Sequence, residues 1–148
     1  MQSQTRDACY IIRGMKPEDI GAKIALHQFI LCENFSILAD DGYNAKGVRS
    51  NLYVPDFPYR FEELYVVTCW RKDERFHKEV IEYGFEEETL FRTAHMDIEP
   101  VTSQVLFRWH THKIPPEVVI PHEGTLKIRV VLDWQVLFES YLLVEKRP

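Results

Sequence analysis

The chain has 148 residues, enough to bury the core of one domain, and its hydrophobic (45%) and charged (28%) fractions are those of a globular protein, not a disordered one. A formal net charge of −5, with no Lys/Arg cluster to offset it, opposes the cation-rich surface that a phosphate backbone demands, so nucleic acid is not an expected partner. Cys9, Cys32 and Cys69 are widely spaced with no CxxC pair, which gives neither a disulfide framework nor a zinc-ribbon pattern and fits a reduced, cytoplasmic setting.

Residues 1–25 read as an N-terminal arm or short helix. Cys9-Tyr10-Ile11-Ile12 suits a short strand, and Lys16-Pro17-Glu18-Asp19 suits a helical turn with Pro near its start. No apolar run here or elsewhere has the length of a signal peptide core or a membrane span, so no membrane role is expected.

From residue 26 to 148 the signal is that of one β domain. Leu26 to Leu38 reads as a long strand, stopped by the turn residues Asp40-Asp41-Gly42. Lys46 to Val54 follows, and then Pro55-Asp56-Phe57-Pro58, whose prolines cannot continue a central strand. Phe61 to Arg71 is apolar almost throughout, as a central strand should be, and Lys72-Asp73-Glu74 turns the chain into Phe76 to Tyr83. Thr89 to Ile98 is a weaker strand of mixed polarity.

In Gln104 to His112 the residues alternate. Val105, Phe107, Trp109 and Thr111 share one face, expected to be core, while Leu106, Arg108, His110 and His112 share the other, expected to meet solvent. A loop with Pro115, Pro116 and Pro121 leads to Thr125–Leu132, where Leu126, Ile128, Val130 and Leu132 point inward and Thr125, Lys127 and Arg129 outward. Asp133-Trp134 fits a tight hairpin turn, and Gln135 to Glu145 returns as the last strand.

About seven or eight evenly spaced strands without helical periodicity predict an all-β fold, an antiparallel two-sheet β-sandwich. Residues 27–146 resemble an uncharacterised bacterial family of small Ig-like or C2-like β-sandwich domains. The likeness rests on Leu38-Ala39-Asp40-Asp41-Gly42 after the first strand, Phe57-Pro58 ahead of the apolar strand Leu64 to Trp70, and the closing Gly124-Thr125-Leu126-Lys127-Ile128. That family's hairpin usually carries Asp-Gly where this chain has Asp133-Trp134. The resemblance implies a fold and no activity.

Two functional readings follow. The first is a non-enzymatic protein-interaction or assembly module that binds a protein partner or another copy of itself and uses no cofactor. No Gly-x-Ser-x-Gly elbow and no phosphate-cradling glycine loop occurs. Trp134 at a turn tip offers a large contact residue, and Phe57 and Tyr59 offer a second aromatic surface. The alternative is a metal-dependent enzyme. His110-Thr111-His112 with Glu117 and Gly124 resembles the first motif of the cupins, which implies a divalent transition metal held by His110, His112 and Glu117. Two histidines at i and i+2 on a strand do project to the same face. The cupin pattern also expects a glycine where Gln104 stands and a second downstream histidine motif, and this chain has neither. His122 beside Glu123 is a further candidate ligand. The carboxylate runs Glu62-Glu63 and Glu86-Glu87-Glu88 read as solvated faces.

Overall fold

Strands bury side chains on alternate positions, and the computed structural model of the chain, which describes residues 23–102 and 105–148, is made of strands joined by turns. Its elements are β1 (Ala25–Ile37), β2 (Tyr43–Val48), β3 (Asn51–Val54), β4 (Tyr59–Arg60), β5 (Tyr65–Arg71) and β6 (His77–Phe85), followed by β7 (Glu88–Arg92), β8 (Met96–Ile98), β9 (Phe107–Lys113), β10 (Val119–Ile120), β11 (Gly124–Leu132) and β12 (Gln135–Lys146). No helix among the described residues is long and apolar enough to cross a membrane. The expected strand or helical turn within residues 1–22, and Cys9 with it, lies outside the described residues.

One sheet has four strands in the order β2-β1-β5-β9, and the larger runs β3-β12-β11-β6-β7, with β8 also on β6 and a small β10-β4 pair apart from both. All pairings are antiparallel except β12 with β3. Both sheets feed one core. Leu31, Val66 and Trp70 enter from the smaller sheet, and Ile81, Tyr83, Leu126, Ile128, Val130 and Leu142 from the larger, all at most 4% exposed. Each such aliphatic side chain contributes about 1.5–3 kcal/mol through burial.

Several strands lie where the sequence pattern puts them, including β1, β6, β11 and β12, with Leu126, Ile128, Val130 and Leu132 buried as expected. Lys127 and Arg129, expected outward, are half-buried. Elsewhere single β-like runs divide into shorter strands, and the described residues hold twelve strands, not the expected seven or eight. The Lys46–Val54 segment divides at Arg49-Ser50, and its halves join different sheets: β2 pairs with β1, while β3 pairs with β12. The Phe61–Arg71 segment is strand only from Tyr65, because Phe61 and Leu64 are buried by an irregular stretch instead. The Thr89–Ile98 segment splits into β7 and β8.

The faces of β9 are opposite to expectation. His110 and His112 are each 7% exposed, whereas Phe107 is 37% and Val105 43% exposed. Alternation fixes which residues share a face but not which face is buried. Here polar partners inside the molecule take the histidines. Trp109 is half-buried on the other face, against Phe35 (ring centroids 5.5 Å) and Tyr43 (4.5 Å). Through β5, Trp109 lies level with Gln28, seven residues before Phe35. In a straight strand that gap is about 23 Å, so these ring contacts require the far half of β1, with β2, to bend back over the outer face.

Candidate functional site

Two features of the molecule could carry function: a polar cluster inside the core and an open, apolar strand at the edge of the larger sheet.

The cluster begins on β6, where Glu79 shares an inward face with Ile81, Tyr83 and Phe85 and is fully buried. Opposite it, the inward residues of β5 and β9 are Thr68 and Trp70, and His110 and His112, with Thr68 paired to His110 across the two strands. One carboxylate oxygen, Glu79 Oε1, lies 2.6 Å from His110 Nδ1 and 2.9 Å from His112 Nε2. The other, Oε2, accepts a 2.7 Å hydrogen bond from the Trp70 indole. A carboxylate is expensive to bury alone, and these donors replace its water. Burial acts to raise the Glu79 pKa, but the hydrogen bonds from His110 and His112, the charge of His112 and the nearby Thr68 hydroxyl hold it down to about 2. Burial, and then the charge on Glu79, push the Tyr83 hydroxyl up. Among the described residues, the buried Thr68 and Tyr83 hydroxyls find no hydrogen-bond partner of normal geometry.

The cluster therefore contains His110 and His112 but not Glu117. Glu117 is exposed on the connection between β9 and β10, and the carboxylate that meets both histidines is Glu79. His122 is also elsewhere, half outside the fold with its ring against Glu86 at 3.0 Å. Glu79 and Trp70 were missed in the sequence because they are 31 or more positions from the histidines. One signal was available: Glu79 stands in phase with Ile81, Tyr83 and Phe85, and a carboxylate on an apolar face needs a buried partner.

A third buried histidine has a different role. His77 Nε2 lies 2.7 Å from Asp73 Oδ1 and His77 Nδ1 lies 2.6 Å from Asp133 Oδ2. Asp73 also accepts from the backbone of Ile24 and Arg75, and Asp133 from the backbone of Lys78. This clamp joins the start of β1, the β5–β6 connection and the β11–β12 turn.

That turn carries Trp134. Asp133 (φ +48°) and Trp134 (φ +69°) both occupy the left-handed region, as a two-residue hairpin of type I′ requires, and Trp134 is 67% exposed. Beyond it, β12 pairs with β11 along its length but meets β3 only from Leu143 onward. Among the described residues, Gln135–Leu142 has no strand on its outer side. Val136, Leu137, Phe138 and Tyr141 on this stretch are all exposed, with Phe138 also touching Phe29 at a centroid distance of 5.0 Å. The other aromatic candidates are less open: Phe57 and Tyr59 are half-buried and packed on the core, and Tyr59 lies edge-on to Phe61. Tyr59 also lines a surface groove with Glu33, Arg49, Leu52 and Glu62.

No protein-family model matches the chain, and comparison with curated proteins finds no match.

Proposed function

We propose that the chain is a non-enzymatic protein-interaction module, a two-sheet β-sandwich of Ig-like or C2-like type, and that its docking edge is β12 from Gln135 to Tyr141. The partner we assign is a second copy of the same chain, acting in the cytoplasm. The observation that carries this reading is the open side of β12 with a row of exposed apolar residues beside Trp134. Such an edge offers unpaired backbone donors and acceptors, and natural proteins usually blunt it with charge, proline or a bulge. Between Gln135 and Leu142 the sole charged residue is Glu139, which Arg129 already holds at 2.8 Å, and the one irregularity is a bulge at Leu137, where the register with β11 shifts.

A second copy suits the edge because antiparallel pairing of one strand with itself is self-complementary about a two-fold axis. Seven residues of edge pairing cover less than the ~800 Å² per partner of a stable complex, so the association expected is concentration-dependent. Cys32 and Cys69 are free and buried, and burial pushes the Cys69 thiol up to about 12, which suits a reducing compartment and leaves these thiols no reactive role.

Sedimentation of the full chain over a range of concentrations tests the reading. Self-association that disappears in Leu137→Lys, with an unchanged melting temperature, is the expected result. A wild-type chain that stays monomeric at the highest concentration reached contradicts it.

A further inference from the structure

The interaction reading leaves the buried cluster unused. We infer that Glu79, His110 and His112 bind one divalent first-row transition metal ion, a structural centre joining the two sheets. The three side chains each present a ligand atom, and those atoms lie within 4.8 Å of one another. Imidazole and carboxylate together suit zinc, iron, nickel and manganese. Three ligands from two sheets converge on one point: Glu79 from β6 of the larger, His110 and His112 from β9 of the smaller.

Further observations separate this cluster from an ordinary hydrogen-bonded knot. Both rings aim at the same carboxylate oxygen, while the Trp70 indole holds the other and fixes the plane of the carboxylate, which is how outer partners orient metal ligands. The Tyr83 hydroxyl is buried, lies in the surroundings of Glu79 and makes no hydrogen bond among the described residues. Among the described residues the buried Glu79 carboxylate pairs with the two histidine rings and with no Lys or Arg, and a divalent cation would balance its charge.

The present separations of 2.6 and 2.9 Å are hydrogen-bond lengths. Around an ion with bonds of about 2.0–2.2 Å, ligand atoms stand roughly 3.3 Å apart, so each ring needs to withdraw by about half an ångström. To coordinate, each ring must free the nitrogen facing Glu79 of its proton, which goes to the opposite nitrogen of a neutral ring or to solvent from a protonated one. The histidine side chains are only 7% and 5% exposed, so the ion would be shielded from solvent, as in a structural centre.

The full chain, purified without a histidine tag and freed of metal, is titrated with zinc. One equivalent of zinc should bind and raise the melting temperature by about 5–10 °C at a free concentration roughly 100-fold above Kd. X-ray absorption of the zinc-loaded wild type should show two imidazoles and a carboxylate, and His110→Gln/His112→Gln should lose at least 100-fold in affinity. No stoichiometric zinc in the wild type, a coordination shell without imidazole, or full retention of zinc by the double variant would overturn the assignment. The absorption spectrum decides even if the double variant does not fold, because it is taken on the wild type.

Discussion

At Trp134 a large β-favouring ring occupies a left-handed backbone position, an arrangement that costs an L-residue about 1–2 kcal/mol and that glycine or asparagine would relieve. The ring is mostly exposed and recovers little of that cost by burial. Trp134→Gly should therefore keep or raise stability, by about 0.5–1 kcal/mol, while lowering self-association. Paired thermal melts and sedimentation runs check both effects, and a lower melting temperature would show the ring to be packing on its own domain. At the opposite end of the β11–β12 hairpin, Gly124 sits under Phe85: an added Cβ would stand 2.6 Å from Phe85 Cζ. Gly124→Ala should destabilise the fold by about 1–3 kcal/mol in denaturant titration, since the ring must shift within a filled core.

Asp73 gives the molecule a pH dependence with a definite sign. Burial acts to raise its pKa, but hydrogen bonds from the Arg75 backbone, the His77 ring and the Ile24 backbone outweigh it and hold the carboxyl below its ordinary value. A group depressed in the folded state adds stability that is present above its unfolded pKa of about 3.9 and is lost as pH falls through the folded value. Acidification below about pH 4 should thus weaken the wild type more than Asp73→Asn, measured by chemical unfolding at pH 7 and pH 3. Equal losses in the two proteins would show that the clamp carries no such linkage.

Among the elements, β11 is the firmest. Its inward residues Leu126, Ile128 and Val130 are fully buried between β6 and β12, so Val130→Asp should cost several kcal/mol by burying an unpaired charge. This strand was legible because clean alternation has one physical reading when the charged face is Lys and Arg. The alternation in β9 was equally visible, yet it misled, since Phe107 and Trp109 against His110 and His112 says nothing of Glu79 waiting across the core. Burial of a histidine depends on a partner distant in sequence, and such pairings leave no local trace. The break at Arg49-Ser50 was hidden for a related reason: both halves favour strand, and only pairing with β1 on one side and β12 on the other divides them. Trp134 was readable as a turn residue because the Asp-x hairpin position is a local matter. The site at β12 was only half legible, since exposure of Trp134 follows from the turn while the missing neighbour of Gln135–Leu142 follows from where β3 ends.

In the whole molecule the open edge of β12 and the buried cluster between the sheets are separate places. The edge of β12 is the proposed site of association, and the hydrogen-bonded cluster of Glu79, His110 and His112 links the two sheets that support it. A chain whose core can be held by a metal ion would keep the β11–β12 hairpin rigid, so removing zinc should lower stability without creating or abolishing the docking edge itself. The central claim is the docking edge, and amide hydrogen exchange read across Gln135–Tyr141 at low and high protein concentration tests it most directly. Outward-facing backbone amides of this stretch should exchange as open groups when dilute and gain at least tenfold protection when concentrated, with β5 and β6 unchanged. Identical exchange along β12 at both concentrations would contradict the account.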